Sequence, residues 1–531
     1  MNGGLSGAMA ALRALLAGHT QDTRLLRLTT SPGADALLVE RIAGREGLSQ
    51  GFRFDITTLS TDAALDGKRL LGQPALLEIL TQHSRSELRP IHGHITAFEP
   101  LSSEAGLTRY RLNIEPWTAF LRHRFDSFVW QDKSTLDIVA EIFADYQGQG
   151  RLAPEWRLAL SDASRYAPRE VCTQFEESDW AFVERLLAEE GLFYWFEHVG
   201  DAGSAALGNH RLVIADSNAA FGPNVQPPIR FHRAAAVEQS DTITGWQTAR
   251  RVVTNTVRVA SWNERQVSVI GHQQGGSHAG GDVPELLASD HAGLRHFDSG
   301  DAAERSARLH LEALEARNHT CHGEGTVRTL APGSTFVLTE HPVHDRERLQ
   351  EGDAEVCFAV IAVQHFGRNN LGSDANTLID SVFGNSAQAS SLGGLNGQAS
   401  RGAEDAEPLY RNRFTALRAD IPWRPLTVDA RGALLHPKPT VTGIHTAIVV
   451  GTPGQDLTTE RNHRIKVQLH WQRGAQSHSR RSHPQGDNNT PAQESAYVWV
   501  RVMEPAAGPN WGSSFTPRIG QEVIFEDEVS L

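Results

Sequence analysis

The stretch RYRLNIE, Arg109–Glu115, puts apolar Tyr110, Leu112 and Ile114 on every second residue, with Arg109, Arg111, Asn113 and Glu115 between them. A strand sends successive side chains to opposite faces, so this period of two reads as a strand with one buried face. The same alternation returns far along the chain, where Ile465, Val467, Leu469 and Trp471 interleave with Arg464, Lys466, Gln468 and His470. Further strand candidates are ALLEIL from Ala75, GHITAFE from Gly93, LFYWFEH from Leu192, RLVIAD from Arg211, TVRVASW from Thr256, STFVLTE from Ser334, CFAVIAVQHF from Cys357 and YVWVRVM from Tyr497.

Three helices interrupt the strands. Ser134 is a suitable N-cap for a segment carrying Leu136, Val139 and Phe143, and Ser178 for one carrying Trp180, Val183 and Leu187 that stops at Gly191. A third, from about Asp301 to Arg317, lines up Ala307, Leu311 and Leu314. Strands do not alternate regularly with helices, so the fold class expected is mainly β with inserted helices (α+β), not a doubly wound sheet.

The chain has 531 residues, which at about 100–200 residues per domain implies several units. Hydrophobic residues make up 40% and charged residues 21%, enough for sizeable cores. The formal charge of −13 argues against a nucleic-acid partner, which would need a basic stripe. Lysine occurs only at Lys68, Lys133, Lys438 and Lys466, so positive charge is nearly all arginine, suited to fixed bidentate pairs. Three scattered cysteines, Cys172, Cys321 and Cys357, do not make a disulfide framework. Residues 1–21 read as an amphipathic segment, since Arg13 interrupts the apolar run and no basic region precedes it. No run of about 18 apolar residues suggests stable membrane insertion. GHQQGGSHAGGDVP (271–284) reads as a surface loop, and GNSAQASSLGGLNGQASRGAEDAE (384–407) as a linker.

No set of residues in the sequence has the spacing of a known catalytic or metal motif. His319, Cys321 and His322, with His341 and His344 beyond, are zinc-type ligands without zinc-type spacing. His92 and His94 share a strand face, but the sequence indicates no third ligand. Ser277 and Ser391 lie in Gly-rich loops, not at strand-to-helix turns. The pairs Glu176/Glu177 and Glu189/Glu190 are expected to splay apart on helices rather than converge on one bond. No catalytic, cofactor-binding or metal-binding residue is assigned, and no cofactor is expected.

The chain resembles the VgrG spike proteins of the bacterial type VI secretion system. The resemblance is carried by TRLLRLTTSPGADALLVERIAGREGLSQGFRFDI (Thr23 to Ile56), LLGQPALLEI, GHITAFE, YRLNIEPWTAFLRHR and ESDWAFVERLLAEEGLFYWFEH (Glu177 to His198). It continues through YRNRFTALRADIPWRP, KPTVTGIHTAIVVG, RIKVQLHWQRG and YVWVRVMEPAAGPNWGSSFTPRIGQEVIF, in family order. It implies phage-tail-hub-like tandem β-barrels over residues 22–380, a flexible linker and crossover over 381–430, and an incomplete OB-fold collar over 431–531, truncated before a needle. The role implied is structural and non-enzymatic: a homotrimer on the end of a hexameric, Hcp-like secreted tube, contacting baseplate components and carrying effectors or adaptors. Such a protein assembles in the bacterial cytoplasm and is exported without a signal peptide. A prophage or tailocin hub is the alternative, ahead of a cell-wall hydrolase or a nucleic-acid-binding OB protein.

Two departures stand out. LTTERNHRIKV has Glu460 near the family's usual Asp and His463 where glycine is usual, so a changed turn before an intact strand is expected. The chain reads EVIFEDEVSL where the family continues into a further strand, so the last barrel is expected to have an unpaired edge and its trimer to dissociate on dilution.

Overall fold

The computed structural model describes residues 24–31, 36–81, 88–104, 107–232, 240–263, 265–276, 281–294, 296–350, 356–371, 379, 409–429, 432–439, 443–460, 462–472, 497–508 and 511–525. The expected N-terminal segment and the linker at 384–407 lie outside these residues, as do Ser277 and Ser391.

Six strands open the fold: β1 (Leu26–Thr30), β2 (Leu38–Gly47), β3 (Gln50–Ser60), β4 (Pro74–Leu80), β5 (Leu88–Glu104) and β6 (Leu107–Glu115). They pair antiparallel in the order β1-β4-β5-β6-β3-β2. Alternate residues of β3, β4 and β6 (Phe54 and Ile56, Leu77 and Ile79, Leu112 and Ile114) meet in one core, each such side chain contributing about 1.5–3 kcal/mol on burial. No backbone pairing joins β1 to β2 among the described residues. The buried amide of Asn369 closes that seam: Nδ2 donates to the carbonyls of Leu26 and Val39, both at 2.9 Å, and Oδ1 accepts from the Leu26 N–H at 3.1 Å.

The one-faced reading of Arg109–Glu115 is corrected. Arg109 and Asn113 are themselves buried, because the Arg109 guanidinium reaches Glu40 on β2 through two bonds of 2.9 and 3.0 Å. An arginine fork satisfied this way can occupy an interior face that a bare charge could not.

A second unit follows, with β7 (Phe125–Lys133), β8 (Glu155–Ala159), β9 (Arg169–Ser178), β10 (Phe193–Gly200) and β11 (Gly208–Ala215). Its helices α1 (Thr135–Asp145) and α2 (Asp179–Glu189) start at the expected caps. Ser134 forms a capping box with Asp137, while Ser178 accepts from the Ala181 N–H. Gly191, at φ 68°, follows α2. Their apolar faces enter an aromatic layer in which Trp130 stacks on Phe182 and Trp117 meets Phe143 edge-on.

The third unit supplies β12 (Gly222–Arg230), β13 (Ile243–Arg250), β17 (His319–Gly325), β18 (Ser334–Thr339), β19 (Cys357–Arg368) and β20 (Tyr410–Arg418). These six join the first six where β19 pairs with β2, giving one 12-stranded sheet of two six-stranded halves. Each half sets a glycine opposite a phenylalanine, Gly44 against Phe54 and Gly323 against Phe414. A Cβ at either glycine would collide with the facing ring. Tyr410–Arg418, which falls within the stretch read as linker and crossover, is therefore a strand of this sheet.

Inserted in this unit are β14 (Thr256–Asn263), β15 (Ser268–Gly275) and β16 (Leu287–Leu294), packed on α3 (Gly300–Glu315) through Val257, Val259 and Ile270 against Ala303, Ala307 and Leu311. The loop reading of 271–284 is thus corrected at its start. Gly271–Gly275 belongs to β15, held by pairing with β14 rather than by burial of its own side chains. The last unit, within the residues expected to form the collar and hence called the collar, is an open sheet β23-β22-β21-β26 formed by β21 (His445–Val450), β22 (Arg464–Leu469), β23 (Val498–Arg501) and β26 (Glu522–Phe525). A two-residue ladder, β24 (Ala507–Gly508) with β25 (Trp511–Gly512), lies beside it in sequence. Short helices at Gly67–Leu70 and Pro342–Gln350 were not signalled by the sequence pattern. No helix of the described residues is long and apolar enough to cross a membrane.

Candidate functional site

The residues singled out for chemistry are dispersed or already engaged. On β17, Cys321 is buried and His322 points the other way, into solvent, as strand alternation requires. His344 donates its backbone N–H to His341 Nδ1 at 3.2 Å. Among the described residues, no group of three or more His, Cys, Asp or Glu side chains is placed to hold a metal ion. Glu176 and Glu177 lie in β9 and not on a helix, with Glu177 paired to Arg185. Glu189 and Glu190, expected to splay, both reach Arg169, at 2.8 and 2.9 Å. Arg169 thus bridges the two carboxylates through charge-assisted bonds.

What the structure does build is a join between the halves and a dock for the collar. At the join, Glu46 on β2 accepts from Arg89 and lies 2.8 Å from His365 Nε2, while Tyr410 Oη is 2.6 Å from His365 Nδ1. Burial alone would raise the Glu46 carboxyl, but the Arg89 guanidinium and the His365 bond outweigh it and hold the group at about 2. Burial lowers His365 and pushes the Tyr410 hydroxyl up to about 12. A neutral His365 thus donates from Nε2 to the carboxylate and accepts the Tyr410 hydroxyl at Nδ1.

The collar is docked on the second unit. Val129 of β7 is buried in the same cluster as Ala447, Val449, Ile465, Val467 and Val498, with Val171 of β9 against it. The rim is polar: Glu170 accepts from Arg464 at 2.8 Å and Arg265 at 3.3 Å, and Gln131 donates to the Tyr497 carbonyl. Trp471 tilts against Phe175. Trp499 is flanked by Arg464 and Lys466, whose charges sit 5.7 and 5.3 Å from its ring.

At the departure before β22, the strand is intact and His463 takes φ 52°, the left-handed region where glycine is free of cost. Its ring is used, with Nε2 2.9 Å from Thr516 Oγ1.

Sequence reasoning missed the partners of His92 and His94. His198 and His210, more than a hundred residues on, stand beside them, with His92 Nδ1 2.8 Å from His210 Nδ1. No local pattern signals this, because the contact is made by a hairpin of another sheet.

Comparison with known proteins agrees with this architecture. The phage tail baseplate hub (GPD) model matches residues 45–371, which is 327 of 531. The type VI secretion system/phage-baseplate injector OB domain model matches residues 485–528. The chain is 29% identical over 514 residues to type VI secretion system spike protein VgrG1b of Pseudomonas aeruginosa, covering 95% of this chain and 58% of that protein. To VgrG1a of the same organism it is 26% identical over 520 residues, covering 95% and 67%. The chain thus spans from 40% (VgrG2b) to 67% (VgrG1a) of the length of these Pseudomonas aeruginosa relatives. Among solved structures it is similar to the E. coli c3393 protein, described as a type VI secretion component resembling T4 tail proteins gp27 and gp5 (TM-score 0.55, 19% identity, 92% of each chain). It also resembles a chain of the Francisella PdpA-VgrG complex (TM-score 0.54, 9% identity, 97% and 71%). With the hub model spanning well over half of the sequence, this chain belongs to the phage tail baseplate hub family.

Proposed function

We infer that this chain is a structural hub and collar of a type VI secretion spike, non-enzymatic, acting as a homotrimer that caps a hexameric secreted tube and carries effectors or adaptors outward. The observation that carries the reading is the 12-stranded sheet of two six-stranded halves, each with its own glycine–phenylalanine pair. Three copies of such a chain present six similar halves, which suits a six-fold ring. The relatives named as type VI spike proteins favour this machine over a prophage or tailocin tail. The arginine pairs that tie unit to unit, Arg464 to Glu170 and Arg305 to Glu190, suit a body that transmits force without chemistry.

The test is to mix the purified chain with rings of a hexameric tube protein and to record native mass spectra. The expected species is three chains on one ring. Failure to bind at concentrations where the chain self-associates would contradict the reading, as would peptidoglycan hydrolysis abolished by changing one carboxylate.

A further inference from the structure

The four clustered histidines fill the contact between the first half-sheet and the β10–β11 hairpin. His92 and His94 project from β5, and His198 of β10 faces His210 of β11 across the ladder. The Trp117 N–H, at the crossover into the second unit, donates to His210 Nε2 at 2.8 Å. His92 Nε2 lies 2.8 Å from the Ala206 carbonyl, which can only accept, so Nε2 carries the hydrogen. Nδ1 of His92 is then an acceptor, and His210 Nδ1 must be the donor between them. Every position in this relay is fixed with both rings neutral. A further proton on His92 Nδ1 would point at the His210 N–H, and one on His210 Nε2 at the Trp117 N–H.

The other two rings have no provision for charge either. His198 Nδ1 stands 3.2 Å from the His92 N–H and 3.1 Å from the His92 carbonyl, which serves either neutral tautomer, but His198 Nε2 and His94 Nδ1 are enclosed with no hydrogen-bond partner to receive a second proton. Phe52 packs on His198 and His210, and Phe120 on His94. The carboxylates facing the cluster are committed elsewhere. Glu46 is held by Arg89 and His365, Glu155 by Asn209 and Arg211, and Glu115, opposite His94 in register, by Thr96 and Arg122. Arg89 adds positive charge beside His198.

We propose that His92, His94, His198 and His210 form an acid-opened latch, which holds the β10–β11 hairpin on β5 while all four rings are neutral and releases it when they take up protons. Burial keeps His94 and His198 neutral down to about 4 and lowers His92 and His210 as well. An opened chain takes up protons as pH falls below about 6.5, the free histidine value, whereas the closed form does not. Closure is therefore undisturbed above about 6.5 and weakens as pH falls from there towards 4.

Hydrogen exchange of the whole chain, stepped from about pH 7.5 to about pH 5 and corrected for intrinsic rates, reads this directly. The opening constant of β5, β10 and β11 is expected to rise about tenfold per pH unit for each ring kept neutral, while β21 and β22 stay unchanged over the same range. In His94→Leu with His198→Leu, the two rings with idle nitrogens are gone, so the slope is expected to fall by about half while the relay survives. Wild-type segments that open no faster at about pH 5 would overturn the latch, as would a double variant with the wild-type profile. Should that variant not fold, His94→Gln alone is used, with a shallower slope expected and an unchanged slope counting against the latch.

Discussion

Hub and collar solve the same problem of burying strand faces to different degrees. The hub buries its largest aromatic side chains, among them Trp117, Trp130, Tyr110 and Phe182, in cores of its own. The collar, less than a fifth of the sequence, carries eight of the twenty exposed large hydrophobic side chains among the described residues: Leu434, Leu435, Ile444, Leu457, Met503, Trp511, Phe515 and Ile524. Its own core is the single cluster shared with Val129 of the hub. The hub is thus self-sufficient, whereas the collar leans on the hub on one side and offers apolar surface on others. In the proposed trimer that surface meets its copies.

The comparison is broken most easily from inside the hub. Arg109→Met strips the buried Glu40 of its two-bond fork and leaves it only Arg41 at 3.3 Å, so a loss of up to about 3–5 kcal/mol is expected, measured by denaturant unfolding with a hub-specific probe. Adding Glu40→Met is expected to restore most of that loss, and failure to do so would mean that the pair does more than neutralise itself. Asn369→Ala abandons the seam between β1 and β2, leaving a buried N–H and two carbonyls unpaired, and is expected to cost about 2–3 kcal/mol.

Acid should discriminate the regions next. Glu46 is held at about 2 against an ordinary 4.5, so its contribution at the join is present above about 4.5 and is lost as pH falls from there towards 2. Hub melting temperatures in that window are expected to drop for the wild type and less for Glu46→Gln, which starts lower at neutral pH. In the collar, His463→Gly relieves a left-handed residue but gives up the Thr516 contact, so a net gain of no more than about 1 kcal/mol is expected in collar unfolding. Smallest of all, Ile524→Thr and Met503→Ser should change folding stability by less than about 0.5 kcal/mol, since both side chains are exposed in the single chain.

The contrast also explains what the sequence could reveal. Alternation at Arg109–Glu115 and Ile465–Leu469, and the caps at Ser134 and Ser178, are local signals, and each expected strand and helix formed. The eight further strand candidates formed as well, from Ala75 to Tyr497. Non-local features stayed hidden. Arg109 reads as a surface residue until Glu40 is opposite it, Gly271–Gly275 reads as a loop until β14 pairs with it, and Glu189 and Glu190 read as splayed until Arg169 lies between them. The histidine cluster is the extreme case, since its four members come from two sheets.

Self-association of the hub is read out by light scattering of the purified chain across a concentration series. A molar mass approaching three times the 58.2 kDa of one chain is expected, with Ile524→Thr and Met503→Ser together shifting the rise to higher concentration. A monomer mass at every concentration would contradict it.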